Sequence, residues 1–452
     1  MPRCEKGNGS TGVIAPRNDP FIRRDRTKGV TTYFSSMSDN LKLVAVALLL
    51  GSISCGPANG PEAARDLEQE LTDSLTLIGK HADFNGFGVA VVGPQGVLYQ
   101  GGFGMADVAK NIAYTENTLQ PIASISKTFI GLAVMKAQEL GKLKLDDPIS
   151  TFLPFPVVNP HHPELPITVR QLVTHTSTIL DKENYLFRSW ILRDTMDLAA
   201  NLALDIGACR FSAPSTAVSM EEFLRRYLAP DGVWYSDSAF AELKPGERFA
   251  YSNIGATLAA LVVEKATGMP FDAFTTRYIL DPLDMRTSTW HGEDLPDTAI
   301  SRLYRTRTEP FPRYFCATYP DGGMVTSSGE FAKYMAELVK GYRGEGTILS
   351  KASYTEYFRE QLADSNFVDR ATGQFTDEHN MGITIGFDSL VHFGHTGGDP
   401  GLFSMFFVER ETGLGRYMIV NTDMEGWEHH MQVWAMLGRY AKRLSRPKVP
   451  AR

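Results

Sequence analysis

The sequence predicts an α/β fold of the α+β type. One antiparallel sheet of about five strands is built from both chain ends and flanked by helices, with a mainly helical lobe inserted between them. Three observations predict it. Two short β-prone runs, residues 87–92 and 96–100, stand either side of Gly93-Pro94-Gln95-Gly96, a hairpin signal. Three more runs, residues 390–393, 402–408 and 417–421, crowd near the end of the chain. Between them, from about 137 to 345, the pattern is mostly helical and broken by turns.

Taken in order, residues 1–36 mix Gly, Pro, Ser and Arg without apolar period and read as a disordered leader. The apolar run 43–50 and the small residues before Cys55 form an export signal, too short for an ordinary spanning helix. Met37 opens a signal-sized segment, so the true start is expected there, with 1–54 as leader plus signal peptide. Small residues before Cys55 resemble a bacterial lipoprotein cleavage site, although Ser52 stands where Leu is usual. Cys55 is therefore a candidate lipid anchor, and the protein is expected in the periplasm or on the outer side of a membrane.

A polar linker (55–64) leads to a helix near 65–83, the hairpin, and the Ser124 helix. The α/β lobe spans about 65–136 and 346–445, the helical lobe about 137–345, and the whole of 65–452 one domain. Ser219 caps a helix over 219–227, residues 255–265 form a strong apolar helix, and 424–443 close the chain as an amphipathic helix.

The chain has 452 residues, 43% hydrophobic and 21% charged, with net charge −7 and a pI near 5.9. Residues 1–54 carry eight Lys/Arg against four Asp/Glu, so the remainder stands at −11. An acidic chain without a basic face disfavours nucleic-acid binding. His161-His162 and Glu428-His429-His430 lack metal-ligand spacing, and no metal or cofactor is expected. Cys209 and Cys316 could pair after export, but nothing in the sequence requires it.

The chemistry is carried by Ser124-Ile125-Ser126-Lys127. A serine three residues before a lysine shares a helical face with it. A lysine within hydrogen-bond reach can take the proton of a serine nucleophile. Ser445-Arg446-Pro447-Lys448 has the same spacing, but in a basic tail beyond the last apolar pattern, where a rigid site is not expected. Ser124 has partners. Tyr251-Ser252-Asn253 precedes the 255–265 helix; the Tyr hydroxyl can shuttle protons and the Asn amide can orient lysine and substrate. His395-Thr396-Gly397-Gly398 stands at the end of a predicted strand, where glycines admit a substrate backbone. Backbone N–H groups of Ser124 and Gly398 are the candidate oxyanion hole. His175, at a helix end, is read as structural.

Together, Ser124-x-x-Lys127, Tyr251-x-Asn253 and His395-Thr396-Gly397 resemble the three active-site elements of the class C β-lactamase and D-Ala-D-Ala carboxypeptidase family, serine hydrolases of the penicillin-binding superfamily. Residues 142–150, 167–177, 245–249 and 321–328 look like further family segments, and the resemblance spans roughly 66–440. It implies that Ser124 is acylated, that Lys127 and Tyr251 share the proton transfers, and that Asn253 contacts the substrate amide. His395, Thr396 and Gly397 line the carboxylate end, and Gly398 completes the oxyanion hole.

Three departures stand out. His395 replaces the lysine usual in class C β-lactamases, which weakens carboxylate binding; the His-Thr-Gly form resembles some carboxypeptidases and β-lactamase-like peptidases. Thr178 replaces the usual Gly after His-Thr-Ser. Residues 181–215 look like an insertion. No Glu-x-x-Leu-Asn segment is present, so deacylation is assigned to Tyr251 and Lys127. The expected substrate is a small molecule or peptide: a cell-wall peptide first, an ester or β-lactam next. A non-catalytic penicillin-binding sensor or scaffold is the alternative of another class.

Overall fold

A computed structural model describes residues 67–193, 195–367, 382–387, 392–423 and 426–446. The leader, signal segment, Cys55, linker and Lys448 lie outside the described residues.

The hairpin forms where the turn residues place it. β1 (Gly86–Gly93) turns into β2 (Gly96–Asp107), and Gly96 takes a φ of +122° that side chains disfavour. A two-residue β3 (Ile112–Ala113) pairs with β2. The late segment supplies a two-residue β4 (Gly386–Phe387) and three long strands, β5 (His392–Asp399), β6 (Leu402–Glu409) and β7 (Gly415–Val420). They form one seven-stranded antiparallel sheet in the order β3-β2-β1-β7-β6-β5-β4. The two chain ends meet at its centre, where Phe87 stands opposite Val420.

Alternation along β1 divides the core. Phe87, Val89 and Val91 face one layer, Ala90 and Val92 the other. The first layer is covered by α1 (Leu67–His81) through Leu71 and Leu75, and by the closing helix, Glu428–Leu444, through Trp434 and Leu437. Against the second lies α2 (Lys127–Glu139), buried along nearly its whole length. So does α3 (Asn253–Thr267), capped by Ser252 at its start and by left-handed Gly268 at its end. α4 (Ser328–Tyr342) rests directly on the sheet, with Phe331 4.3 Å from Tyr417 between ring centroids. The closing helix is α5.

The middle of the chain also holds short strands. Trp190–Leu192 pairs with Phe211–Ser212 and with Tyr314–Cys316. Gln120–Pro121 pairs with Val325–Thr326, which ties the segment before Ser124 to the one after Asp321. Residues 181–215 thus build part of this lobe's wall.

One strand assignment is corrected. The expected run 390–393 is the beginning of β5, which continues through His395–Gly398; the motif lies inside a strand rather than after one. Its glycines permit this. A Cβ at Gly394 would lie 2.0 Å from the Phe406 carbonyl oxygen, and one at Gly397 2.5 Å from that of Ile122. They are close-approach positions, which a sequence pattern reads as turn residues. Residues 388–391 lie outside the described residues.

Candidate active site

Ser124 sits in a 3₁₀ turn, Ala123–Ser126, and α2 begins at Lys127. Three residues per turn place positions i and i+3 directly above one another. Lys127 Nζ accordingly lies 3.0 Å from Ser124 Oγ. Ala123, just before the serine, has φ +49°, a conformation costly for a side-chain-bearing residue. The turn is held from two sides: Met324 N donates to Ser126 Oγ (3.1 Å), and Ser404 Oγ on β6 donates to Ile122 O (2.9 Å).

Lys127 is 0% exposed although charged residues are rarely buried without partners. Its amine also donates to the main-chain oxygen of Asp321 (2.5 Å) and lies 5.2 Å from the centre of the Tyr251 ring. The Tyr251 ring in turn lies 4.5 Å from the His175 ring and 6.3 Å from that of His395. Serine and lysine from one turn are therefore brought together with a tyrosine from a second, distant segment.

Asn253 starts α3, and Asp181 holds it there. The Asp181 carboxylate accepts from Asn253 N and Nδ2 (both 2.8 Å), Ile254 N (3.1 Å) and Ser252 Oγ (3.2 Å). Burial raises its pKa, against the pull of these donors. Asp321 is buried too; its Oδ2 accepts from Thr257 Oγ1 at 2.9 Å, and burial pushes its carboxyl up to about 6. Neither role was visible in the sequence. Asp181 opens the segment read as an insertion, far along the chain from Asn253. Asp321 acts on Lys127 through its main chain, which no side-chain pattern reports.

On β5, His395 is fully buried and its Nδ1 lies 2.6 Å from the Thr396 carbonyl. A carbonyl only accepts, so Nδ1 carries the proton and the imidazole braces its own strand. Thr396 is half-buried and Gly398 exposed, with open space where a Cβ would stand. Gly397 packs against Ala123, which sets β5 beside the turn that carries Ser124. β4 pairs with Phe393 and Gly394 only, so among the described residues the edge from His395 onward has no strand on that side.

His175 is structural by position. Its Nδ1 accepts from Ser252 N at 3.2 Å, and burial, then the Lys127 charge, lower its pKa to about 3. Thr178 takes φ +70°, where glycine is the natural residue, and Asn159 Nδ2 donates to its hydroxyl at 2.9 Å. Cys209 and Cys316 are not bridged to each other. His429 pairs with Asp83 at 3.2 Å, and Ser445 is exposed at the end of α5.

The "Beta-lactamase" family model matches residues 64–438. The chain belongs to the β-lactamase family. This β-lactamase-family protein is similar to penicillin-binding protein 4* of Bacillus subtilis, 26% identical over 356 residues that cover 75% of this chain and 68% of that one. It is also similar to the mitochondrial serine β-lactamase-like protein LACTB of Mus musculus, 26% identical over 63% of this chain, and spans only 60% of that protein's length. Two solved structures share the fold. The octameric penicillin-binding protein homologue of Pyrococcus abyssi has a TM-score of 0.61 and 22% identity, over 82% of this chain and 77% of that one. A β-lactamase/D-alanine carboxypeptidase of Pseudomonas syringae has a TM-score of 0.59 and 16% identity, over 84% and 99%. The superfamily to which this β-lactamase-family protein belongs is one of serine hydrolases.

Proposed function

We propose that this β-lactamase-family protein hydrolyses peptide or amide bonds through an acyl-enzyme on Ser124, with D-Ala-D-Ala-type peptides as its first substrate class. The observation that carries the reading is the 3.0 Å contact between Ser124 Oγ and a fully buried lysine amine. In this mechanism Lys127 acts in its uncharged form: Ser124 Oγ attacks the carbonyl carbon as its proton passes to the lone pair of Lys127 Nζ. That proton is relayed through the Tyr251 hydroxyl to the leaving amine as the C–N bond breaks. Water then enters by the same relay and releases the acid. Backbone N–H groups of Ser124 and Gly398 would bind the oxyanion, and Asn253, braced by Asp181, the substrate amide.

A promiscuous esterase is the second reading, and one contact favours it. His395 is committed to the Thr396 carbonyl, which leaves the Thr396 hydroxyl to hold a substrate carboxylate. A site with weak carboxylate binding suits esters, which ask less of substrate positioning. β-Lactam hydrolysis ranks third, and the non-catalytic sensor last.

Intact mass after brief incubation with penicillin, beside Ser124→Ala, tests the reading. A stable adduct absent from the variant supports a carboxypeptidase-like enzyme with slow deacylation. Penicillin destroyed without an adduct indicates a β-lactamase. Activated esters that neither turn over nor acylate Ser124 would refute the nucleophile assignment.

We also infer export, with Cys55 as the lipid-bearing residue, from the apolar run 43–50 and the small residues before Cys55. No helix among the described residues is long and apolar enough to cross a membrane. Intact mass of the native protein tests this, since a mature product retaining residues 2–36 would contradict it.

A further inference from the structure

Beyond Gly398 the fold leaves a narrow cavity of about 60 Å3, partly open to solvent. Its near wall abuts the turn that carries Ser124. Gly322 and Asp399 line it. Gly322 follows the residue whose carbonyl holds Lys127, and a Cβ on it would stand 3.9 Å from Ala123 and 3.5 Å from Asp399 Oδ2. A ligand lying along the free edge of β5 with its leaving group at Thr396 therefore runs its acyl half past Gly398. Four strand positions reach about 10 Å, which ends at this cavity.

The walls are apolar, with Leu303, Phe311 and Tyr319 among them, but three arginines line it as well. Arg193 and Arg313 share one carboxylate, Asp297, at 3.1 and 2.9 Å. Arg302 has no ion-pair partner among the described residues. The three guanidinium groups feel each other: burial lowers the Arg313 pKa, Asp297 opposes this, and Arg302 and Arg193 add to the lowering. Glu293, also in the wall, is engaged by His291 Nδ1 at 3.4 Å. Burial, then the neighbouring Asp321, pushes Asp399 up to about 8, so at neutral pH it is mostly uncharged. The cavity thus offers an apolar passage that ends at three arginines, of which Arg302 has no ion-pair partner among the described residues.

We propose that this cavity receives the acyl half of the substrate and selects acyl groups that end in a carboxylate, held by Arg302 with Arg193 and Arg313 beside it. The inference rests on Ser124 as the nucleophile. Within it, the guanidinium fork binds the carboxylate in the bidentate geometry that arginine favours. The apolar walls bury the intervening methylenes.

The experiment uses the full chain and paired p-nitrophenyl esters. One member carries a straight acyl chain ending in methyl, the other the same chain ending in carboxylate, with lengths stepped from succinyl to suberoyl. The readout is the ratio of kcat/KM, acid-ended over neutral, within each variant, which cancels any loss of folded enzyme. The expected ratio reaches about tenfold or more at one chain length, as a charge-assisted contact allows. It falls at least fivefold in Arg302→Gln. A ratio near one at every length overturns the inference, as does a preference that survives both Arg302→Gln and Arg313→Gln. Failure of the nucleophile assignment looks different: neither member of any pair is turned over, Ser124 takes up no acyl mass, and the cavity inference falls with it.

Discussion

Asp181 gathers four donors from the start of α3, and Asn253 supplies two of them. It caps the helix and fixes the Asn253 amide, so one carboxylate serves stability and, in the proposed mechanism, positioning. Asp181→Ala is expected to cost about 1–2 kcal/mol of stability, the usual cost of losing a cap. It should also lower kcat roughly tenfold while KM changes less, because a misplaced Asn253 affects the transition state. A melting curve beside steady-state kinetics separates the two; an unchanged kcat would make Asp181 purely structural. His175 permits a second test. Its folded pKa of about 3 lies below the ordinary 6.5, so the stability it contributes is complete above 6.5 and lost as pH falls towards 3. Asp321, raised to about 6 from 3.8, has the opposite sign: its contribution is present at low pH and lost as pH rises towards 6. Between about pH 4 and 6 the two oppose each other. His175→Gln should therefore steepen the fall of stability with rising pH by about 1.4 kcal/mol per unit, measured by urea unfolding at several pH values. An unchanged slope would show that His175 does not titrate as a buried neutral base.

Adjacent glycines on β5 do different work. Gly397 is pressed against Ile122 and Ala123, whereas Gly398 faces open space. Gly397→Ala must push β5 from the nucleophile turn and is expected to cost on the order of a hundredfold in kcat/KM. Gly398→Ala should fold with wild-type stability, since its Cβ meets nothing within 4 Å. Comparing melting temperatures and ester hydrolysis for the pair tests whether strand and turn are coupled; equal activity loss in both would argue against it. The turn itself is an element the sequence described only in part. Serine three before lysine was legible, but as a first turn of α-helix. The 3₁₀ geometry that aligns the two side chains comes with a positive φ at Ala123, and Ser404 on β6 ties the preceding Ile122 in place.

At the scale of the molecule, the sheet is closed by strands more than three hundred residues apart, as at Phe87 and Val420. Such pairing makes both ends necessary, because the loop closure is offset only when the sheet's two faces are covered. α5 covers one face through Trp434 and Leu437, over Phe87, Val89, Met418 and Val420. A chain ending at Asp423 would expose that apolar face. It is expected to be insoluble or to lack a cooperative unfolding transition, read by soluble yield and circular dichroism. A soluble, cooperatively folding truncation would show that α5 is dispensable. The active site lies where elements from both chain ends meet the middle lobe, so the same truncation removes activity.

By itself the sequence determined the antiparallel sheet, its assembly from both ends, and the three short motifs. Each of these is local: alternation, turn residues and i,i+3 spacing act within a few residues and leave a readable trace. Only the tertiary structure decided how the motifs combine. It ran β5 through His395–Gly398, because close packing on β6 and Ile122 demands glycine without a turn. It turned His395 inward onto a carbonyl, and it recruited Asp181 and the Asp321 carbonyl as partners of Asn253 and Lys127. It also drew Arg193 to the same cavity as Arg302 and Arg313, more than a hundred residues later in the chain. Apart from the His395 contact with its neighbour, these join residues tens to hundreds of positions apart, and burial sets their energetics, which no pattern along a single chain encodes.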